Sequence, residues 1–208
     1  MIFQIVSYFN KTLRKILVGS YRQERISNEI FRAIIKINTK KKIKILDYGS
    51  GFFNPSLANL ISNKLKKKGV LNKLIFFDFY KKKELKILNI EKNIKYMHLK
   101  QINNINYKFD YCIISDTLHH IGKGVNDLNK LSRILINLKK KSKYIIIKDH
   151  FEYDLLSRKL LQILDFFGNY QNKTNIPNKY FTKGLLQELL ERSQLDVVKI
   201  IEKKKYNR

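Results

Sequence analysis

The sequence predicts a doubly wound α/β fold, a Rossmann-like and mostly parallel sheet with helices on both faces. Three observations carry that expectation. From residue 43 onward, short apolar runs alternate with segments whose apolar residues recur every three or four positions. The runs are continuously apolar, as in Ile145-Ile146-Ile147, which suits strands covered on both sides. The first of them runs into Asp47-Tyr48-Gly49-Ser50-Gly51, a turn that leads to a helix start.

Two helices are expected before the first strand. Ile2, Ile5, Val6, Phe9, Leu13, Ile16 and Leu17 fall on one face of an amphipathic helix, and Ile26, Ile30, Phe31, Ile34 and Ile35 do the same for Tyr21 to Ile37. Residues 1–40 are expected to form a lid or cap on the domain built by residues 41–208. Ile43, Ile45 and Leu46 make the first strand. Asn54 is a suitable helix cap and Pro55 fits a first turn, so a helix over Ser56 to Lys67 follows, with Gly69 just past its end. The alternation continues through a strand at Leu74–Phe77, a short helix near Lys82–Leu88, strands at Ile94–Leu99 and Phe109–Ser115, a helix at Val125–Leu138 and a strand at Tyr144–Ile147. Helices at Tyr153–Phe167 and Thr182–Ser193 precede a last strand around Val197–Ile201. Seven residues follow Ile201, so a seventh strand is expected to be absent or very short.

Composition narrows the function classes. A chain of 208 residues with 44% hydrophobic content supports one ordinary core. The single cysteine, Cys112, cannot form an internal disulfide, and no Cys/His cluster has zinc-module spacing, which points to a reducing, cytoplasmic setting. Lys11, Arg14 and Lys15 interrupt the apolar stretch near the amino terminus, so neither a membrane span nor a secretory signal is expected there.

The formal net charge of +26 would ordinarily raise the odds of a nucleic-acid or anionic-membrane partner. Its origin argues otherwise. The chain holds 35 Lys but 8 Arg, together with 29 Ile, 20 Asn and 2 Ala, the signature of A/T-rich codons rather than of selection for phosphate. The runs at Lys66 to Lys68 and Lys139 to Lys141 fall at helix ends, where cations favour the dipole. A specific nucleic-acid partner is therefore not favoured. The helix over residues 2–17 is expected chiefly as a cover for the site, with peripheral membrane contact as its second role because Lys11, Arg14 and Lys15 flank its apolar face. The sequence does not define an oligomeric state.

In open α/β sheets, ligands bind outside the carboxyl ends of the strands. At the first such end, Gly49 and Gly51, with Ser50 between them, let the backbone turn tightly and approach a ligand. Asn54 stands where a dinucleotide fingerprint requires its third glycine, and Asp47 just before the turn repels pyrophosphate. That acid suits a ligand with ammonium and sulfonium groups instead, as S-adenosylmethionine has.

On these residues the chain resembles the class I S-adenosylmethionine-dependent methyltransferases, whose D-x-G-x-G loop is matched by Asp47, Gly49 and Gly51 in ILDYGSGFF. The resemblance implies that Asp78, in LIFFDFY, binds the ribose hydroxyls and that Phe79 lies along the adenine. FDYCIISDTLHHI resembles the fourth-strand segment of these enzymes, with Asp110 starting the strand and Asp116, Leu118, His119 and His120 at its carboxyl end. Asp116 is assigned to the cofactor side. IIIKDHF, LDFFGN and IPNKY are similar to segments of small bacterial methyltransferases, and this places Asp149, His150, Asn169 and Tyr180 around the acceptor.

Two departures stand out: Phe53 occupies the place of a further loop glycine, and Leu99-Lys100-Gln101 follows the third strand where an acid is usual. Gln101 is assigned to the adenine amine. His150 is the expected acceptor base, with Asp149 orienting it or binding substrate, His119 in a supporting catalytic role and His120 facing the acceptor. Asp116, His119, Asp149 and His150 match no specific metal-ligand spacing, so no metal is expected. The expected function is methyl transfer to a small-molecule acceptor, with a nucleic-acid methyltransferase and a non-catalytic S-adenosylmethionine-binding module as alternatives.

Overall fold

The computed structural model describes residues 20–49, 57–78, 94–98, 108–121, 124–169 and 176–198. The expected helices over residues 2–17 and 82–88 lie outside these. The described elements are α1 (Ser20–Ile37), β1 (Lys42–Tyr48), α2 (Leu57–Lys67), β2 (Leu71–Asp78), β3 (Ile94–His98), β4 (Phe109–Ser115), α3 (Leu128–Lys141), β5 (Ser142–Lys148), α4 (Leu155–Asn169) and α5 (Lys183–Arg192).

Five strands form one sheet in the order β3-β2-β1-β4-β5, and every pair is parallel. β1 is central, paired with β2 on one side (Asp47 opposite Phe76) and β4 on the other (Asp47 opposite Ile113). Strand order therefore reverses between β1 and β4, and the crevice above their carboxyl ends is the topological switch point where such sheets bind ligands.

Side-chain alternation along the strands sends residues to two cores. Ile43, Ile45, Leu74, Phe76, Tyr111 and Ile113 face Ile30 and Ile34 of α1 and Leu57, Ala58, Ile61 and Leu65 of α2. Leu46, Tyr48, Ile75, Cys112 and Ile114 face Leu131, Leu135 and Leu138 of α3, Leu189 of α5 and Phe181. Helices thus cover both faces, as the apolar runs require. Ile34, Ile45, Ile61 and Leu135 are fully buried, and each contributes about 1.5–3 kcal/mol relative to an exposed side chain.

Side-chain caps start three of the described helices, with Asp154 Oδ1 accepting from Ser157 N (2.6 Å) at α4. Asp127 Oδ1 accepts from Lys130 N (3.1 Å) at α3, and Thr182 Oγ1 accepts from Leu185 N (3.2 Å) at α5. The cap moves α3 to Leu128 from the expected Val125. Residues Gly124–Asn126 form a 3₁₀ turn instead, with Gly124 at φ +57°, where a Cβ would meet the His119 carbonyl oxygen at 2.5 Å. Of the expected strand at Val197–Ile201, residues 199–201 lie outside the described residues; Val197 and Val198 belong to no strand and are exposed.

Beyond β5 the chain doubles back over the strand ends. Phe151 bridges Phe181, Glu152 N–H donates to Phe181 O (2.9 Å), and Glu152 Oε2 accepts from Tyr180 N (3.0 Å). Arg158 closes this clasp with paired bonds to the Glu152 carboxylate, both 2.8 Å. The clasp brings Tyr180 and α4 against the end of β4.

Candidate active site

The site begins at the last turn of β1. Asp47 is buried at the strand's carboxyl end, and Gly49 follows at φ +74°. A Cβ on Gly49 would lie 2.2 Å from Thr117 Cγ2 and 2.8 Å from Thr117 Oγ1, so the position excludes every side chain on two counts. Thr117 Oγ1 sits 2.9 Å from both Gly49 O and Ser115 O, and its hydrogen joins the β1 turn to the end of β4. Ser50, Gly51, Phe53, Asn54, Phe79 and Gln101 lie outside the described residues. Asp78 ends β2, one strand away from β1, as expected from the sequence.

Immediately before Thr117, Asp116 holds φ +50°, uncommon for a non-glycine residue. Its N–H donates to Lys148 O (2.8 Å), and its carboxylate accepts a charge-assisted bond from Lys148 Nζ. His150 Nδ1 lies 3.2 Å from Asp116 Oδ1. Burial alone would raise the Asp116 pKa, but Lys148 and His150 outweigh it and hold the carboxyl down at about 2. For His150 burial wins, pushing its pKa below the ordinary value despite Asp116 and Asp149. The ring is consequently neutral at pH 7, and its side chain remains 17% exposed.

His119 occupies the interior of the same cluster. Its Nδ1 bonds Asp149 Oδ1, and its Nε2 lies 3.4 Å from Asp165 Oδ2. Burial opposes charge on this ring, yet the two carboxylates raise its pKa to about 10. Asp149 also accepts from Leu118 N (3.1 Å) and His150 N (2.7 Å), so three donors converge on one carboxylate. Tyr180 OH donates to Asp165 Oδ2 at 2.6 Å, and burial followed by Asp165 pushes the phenol pKa upward. The His119 ring stands 4.0 Å from His120, 5.3 Å from His150 and 5.3 Å from Tyr180, between centroids.

The fold thus gathers Asp116, His119, His120, Asp149, His150 and Tyr180 beside the Asp47–Gly49 turn. Their partnerships differ from the expected ones in two respects. Asp149 holds the His119 ring rather than that of His150, which faces Asp116. Tyr180 is fully buried and serves Asp165. Asn169 is the last residue of α4, and its side chain is outside what the structure describes. Sequence reasoning passed over Lys148, Thr117, Glu152 and Asp165. A signal for Asp165 existed: it is the one acid on α4, a helix otherwise rich in Leu, Ile and Phe.

A depression of about 700 Å³ lies elsewhere, at the amino-terminal end of the sheet, beside Lys40, Lys44, Lys73, Lys108 and Asp110. It holds none of the histidines and opens on the side opposite the switch point.

With the geometry defined, comparison with known proteins places the fold. No family model matches the chain, and no curated protein matches it in sequence. Among solved structures, the pyocyanin biosynthetic protein PhzM is 13% identical with a TM-score of 0.52, over 92% of this chain and 55% of that one. The cyclopropane synthase MmaA2 from Mycobacterium tuberculosis is 10% identical with a TM-score of 0.50, over 83% and 61% respectively. Magnesium protoporphyrin IX methyltransferase (ChlM) from Synechocystis PCC 6803, solved with bound SAM, is 13% identical with a TM-score of 0.45, over 82% and 67%. The chain spans little more than half the length of the first two. The fold is that of the class I S-adenosylmethionine-dependent methyltransferases, on a five-stranded parallel sheet.

Proposed function

We propose that this protein transfers a methyl group from S-adenosylmethionine to a small-molecule acceptor. The observation that carries the reading is the Thr117 bond to Gly49 O, which ties the glycine turn after β1 to the histidine cluster after β4 at one switch point. The donor set fits the cofactor. The buried Asp47 carboxylate suits a cationic nucleoside, and the turn at Gly49 has no room for a side chain, leaving backbone to face the ligand. By resemblance, Asp78 receives the ribose hydroxyls, with Phe79 and Gln101 at the adenine.

When bound, the cofactor supplies a methyl group already activated on a sulfonium, so the protein's work is alignment and proton removal. His150 takes the acceptor's proton. Its Nδ1 lies 3.2 Å from Asp116 Oδ1 without an aligned hydrogen bond, and the negative charge there favours a proton on Nδ1, with Nε2 as the base. Lys148 holds Asp116, and the hydrogen-bonded His119–Asp149 and Tyr180–Asp165 pairs lie beside it.

Calorimetric titration with S-adenosylhomocysteine tests the cofactor assignment. One molecule is expected per chain, with binding weakened about tenfold or more in Asp78→Ala, the size of a lost hydrogen bond to a charged group. Binding of NAD in its place would refute the assignment.

A further inference from the structure

We propose that His119 Nε2, His120 Nε2 and Asp165 Oδ2 form a binding site for a divalent transition-metal ion of the zinc class. These atoms converge from two elements, the turn after β4 and helix α4. Asp165 Oδ2 lies 3.4 Å from His119 Nε2 and 3.9 Å from His120 Nε2, and all three ligand atoms fall within 4.8 Å of one another. A tetrahedral ion with bonds of about 2.0–2.1 Å spaces its ligands by roughly 3.3–3.4 Å, so the His119–Asp165 pair already fits and the His120–Asp165 pair needs to close by about half an ångström.

An independent feature points into the same space. His119 Nε2 is buried without a hydrogen-bond partner, on a side chain that is 0% exposed. Its other nitrogen is committed to Asp149, which is itself fixed by Leu118 N and His150 N. A carboxylate behind the distal nitrogen is the outer-shell arrangement that orients a metal-binding histidine and raises its basicity. Tyr180 OH holds Asp165 in the corresponding way.

The second grouping around His119, with Asp149 and His150, would need Nδ1, which the Asp149 bond already occupies. The choice between the groupings follows from that bond. Without an ion, Nε2 faces a carboxylate only by carrying a proton; binding replaces that proton with the ion and releases it to solvent. Two imidazoles and one carboxylate, with no thiolate, suit Zn²⁺, Co²⁺ or Fe²⁺ rather than Cu⁺ or Ca²⁺. The His120 side chain is 16% exposed, which gives the ion an entry path and a position open to water. This inference stands independently of the methyl-transfer reading.

The test uses the full chain without a histidine tag, stripped by chelator and titrated with zinc. One ion per chain is expected. His120→Ala and Asp165→Asn should each weaken binding by about 100-fold, and Asp149→Asn by about 10–100-fold as an outer-shell change. His150→Ala should leave affinity within about twofold, since the absent side chain is no ligand. In the unmutated protein, cobalt should give the strong visible bands of four- or five-fold coordination, a readout that requires no variant to fold. A weak, water-like octahedral cobalt spectrum, zinc bound equally by His120→Ala, or binding abolished by His150→Ala would overturn the assignment.

Discussion

The contact between Gly49 and Thr117 sets a quantitative test of how the site is built. In Gly49→Ala the new methyl would meet Thr117 Cγ2 at 2.2 Å and Oγ1 at 2.8 Å, on a backbone at φ +74°. The left-handed conformation costs an L-residue about 1–2 kcal/mol. Forcing a methyl into filled space adds about 1–3 kcal/mol. Gly49→Ala should therefore destabilise the protein by about 2–5 kcal/mol, the sum of the backbone and packing costs.

Thr117→Ala removes both crowding atoms and leaves Thr117 Cβ, 3.1 Å from where the new methyl would sit, as the nearest contact. It also forfeits the bond to Gly49 O, worth about 1 kcal/mol. In that background Gly49→Ala should cost only the backbone term of about 1–2 kcal/mol. Urea unfolding of the four proteins gives the coupling energy directly, and about 1–3 kcal/mol is expected. Strict additivity, to within about 0.5 kcal/mol, would show that the two residues do not touch and would dissolve the link between the β1 turn and the β4 end.

Three further outcomes follow from the site. His150→Ala should leave S-adenosylhomocysteine affinity within about twofold while lowering transfer of labelled methyl into a metabolite extract by about 100-fold or more, the scale of a general base; unchanged transfer would remove His150 from the chemistry. Because burial depresses the His150 pKa, its base form is lost only as pH falls through a value below about 6.5, so the rate should climb from acid pH and level off by neutrality. A rate that keeps rising between pH 7 and 8 would contradict that sign. Tyr180→Phe leaves Asp165 Oδ2 without its 2.6 Å donor inside the clasp and should cost about 1–3 kcal/mol in unfolding free energy; no loss of stability would mean that the phenol bond does not hold the cluster.

The strands were legible because their apolar runs are bounded sharply. The expected Phe109–Ser115 coincides with β4, where Asp110 and Ser115 bracket a buried core of Tyr111 to Ile114. Strand ends in turn gave the positions of Asp47, Asp116, Asp149 and His150, since a parallel sheet brings its carboxyl ends together whatever the intervening chain. Pairing among those residues was not legible. Asp149 and His150 are neighbours in the chain, yet consecutive side chains at a strand end point apart, so Asp149 reaches across to His119 and His150 turns to Asp116. Asp165 was missed because its role depends on how α4 docks, which the Tyr180–Glu152 bond and the Phe151–Phe181 bridge determine through contacts distant in sequence. Val197 and Val198 have a strand-like composition, yet they stand exposed and outside any strand.

The most direct measurement is a crystal structure of the protein grown with S-adenosylhomocysteine. The nucleoside is expected in the crevice between the ends of β1 and β4, its ribose on Asp78 and its sulfur turned toward His150. Density for it in the lysine-lined depression at the far end of the sheet, with the crevice left to solvent, would contradict the account.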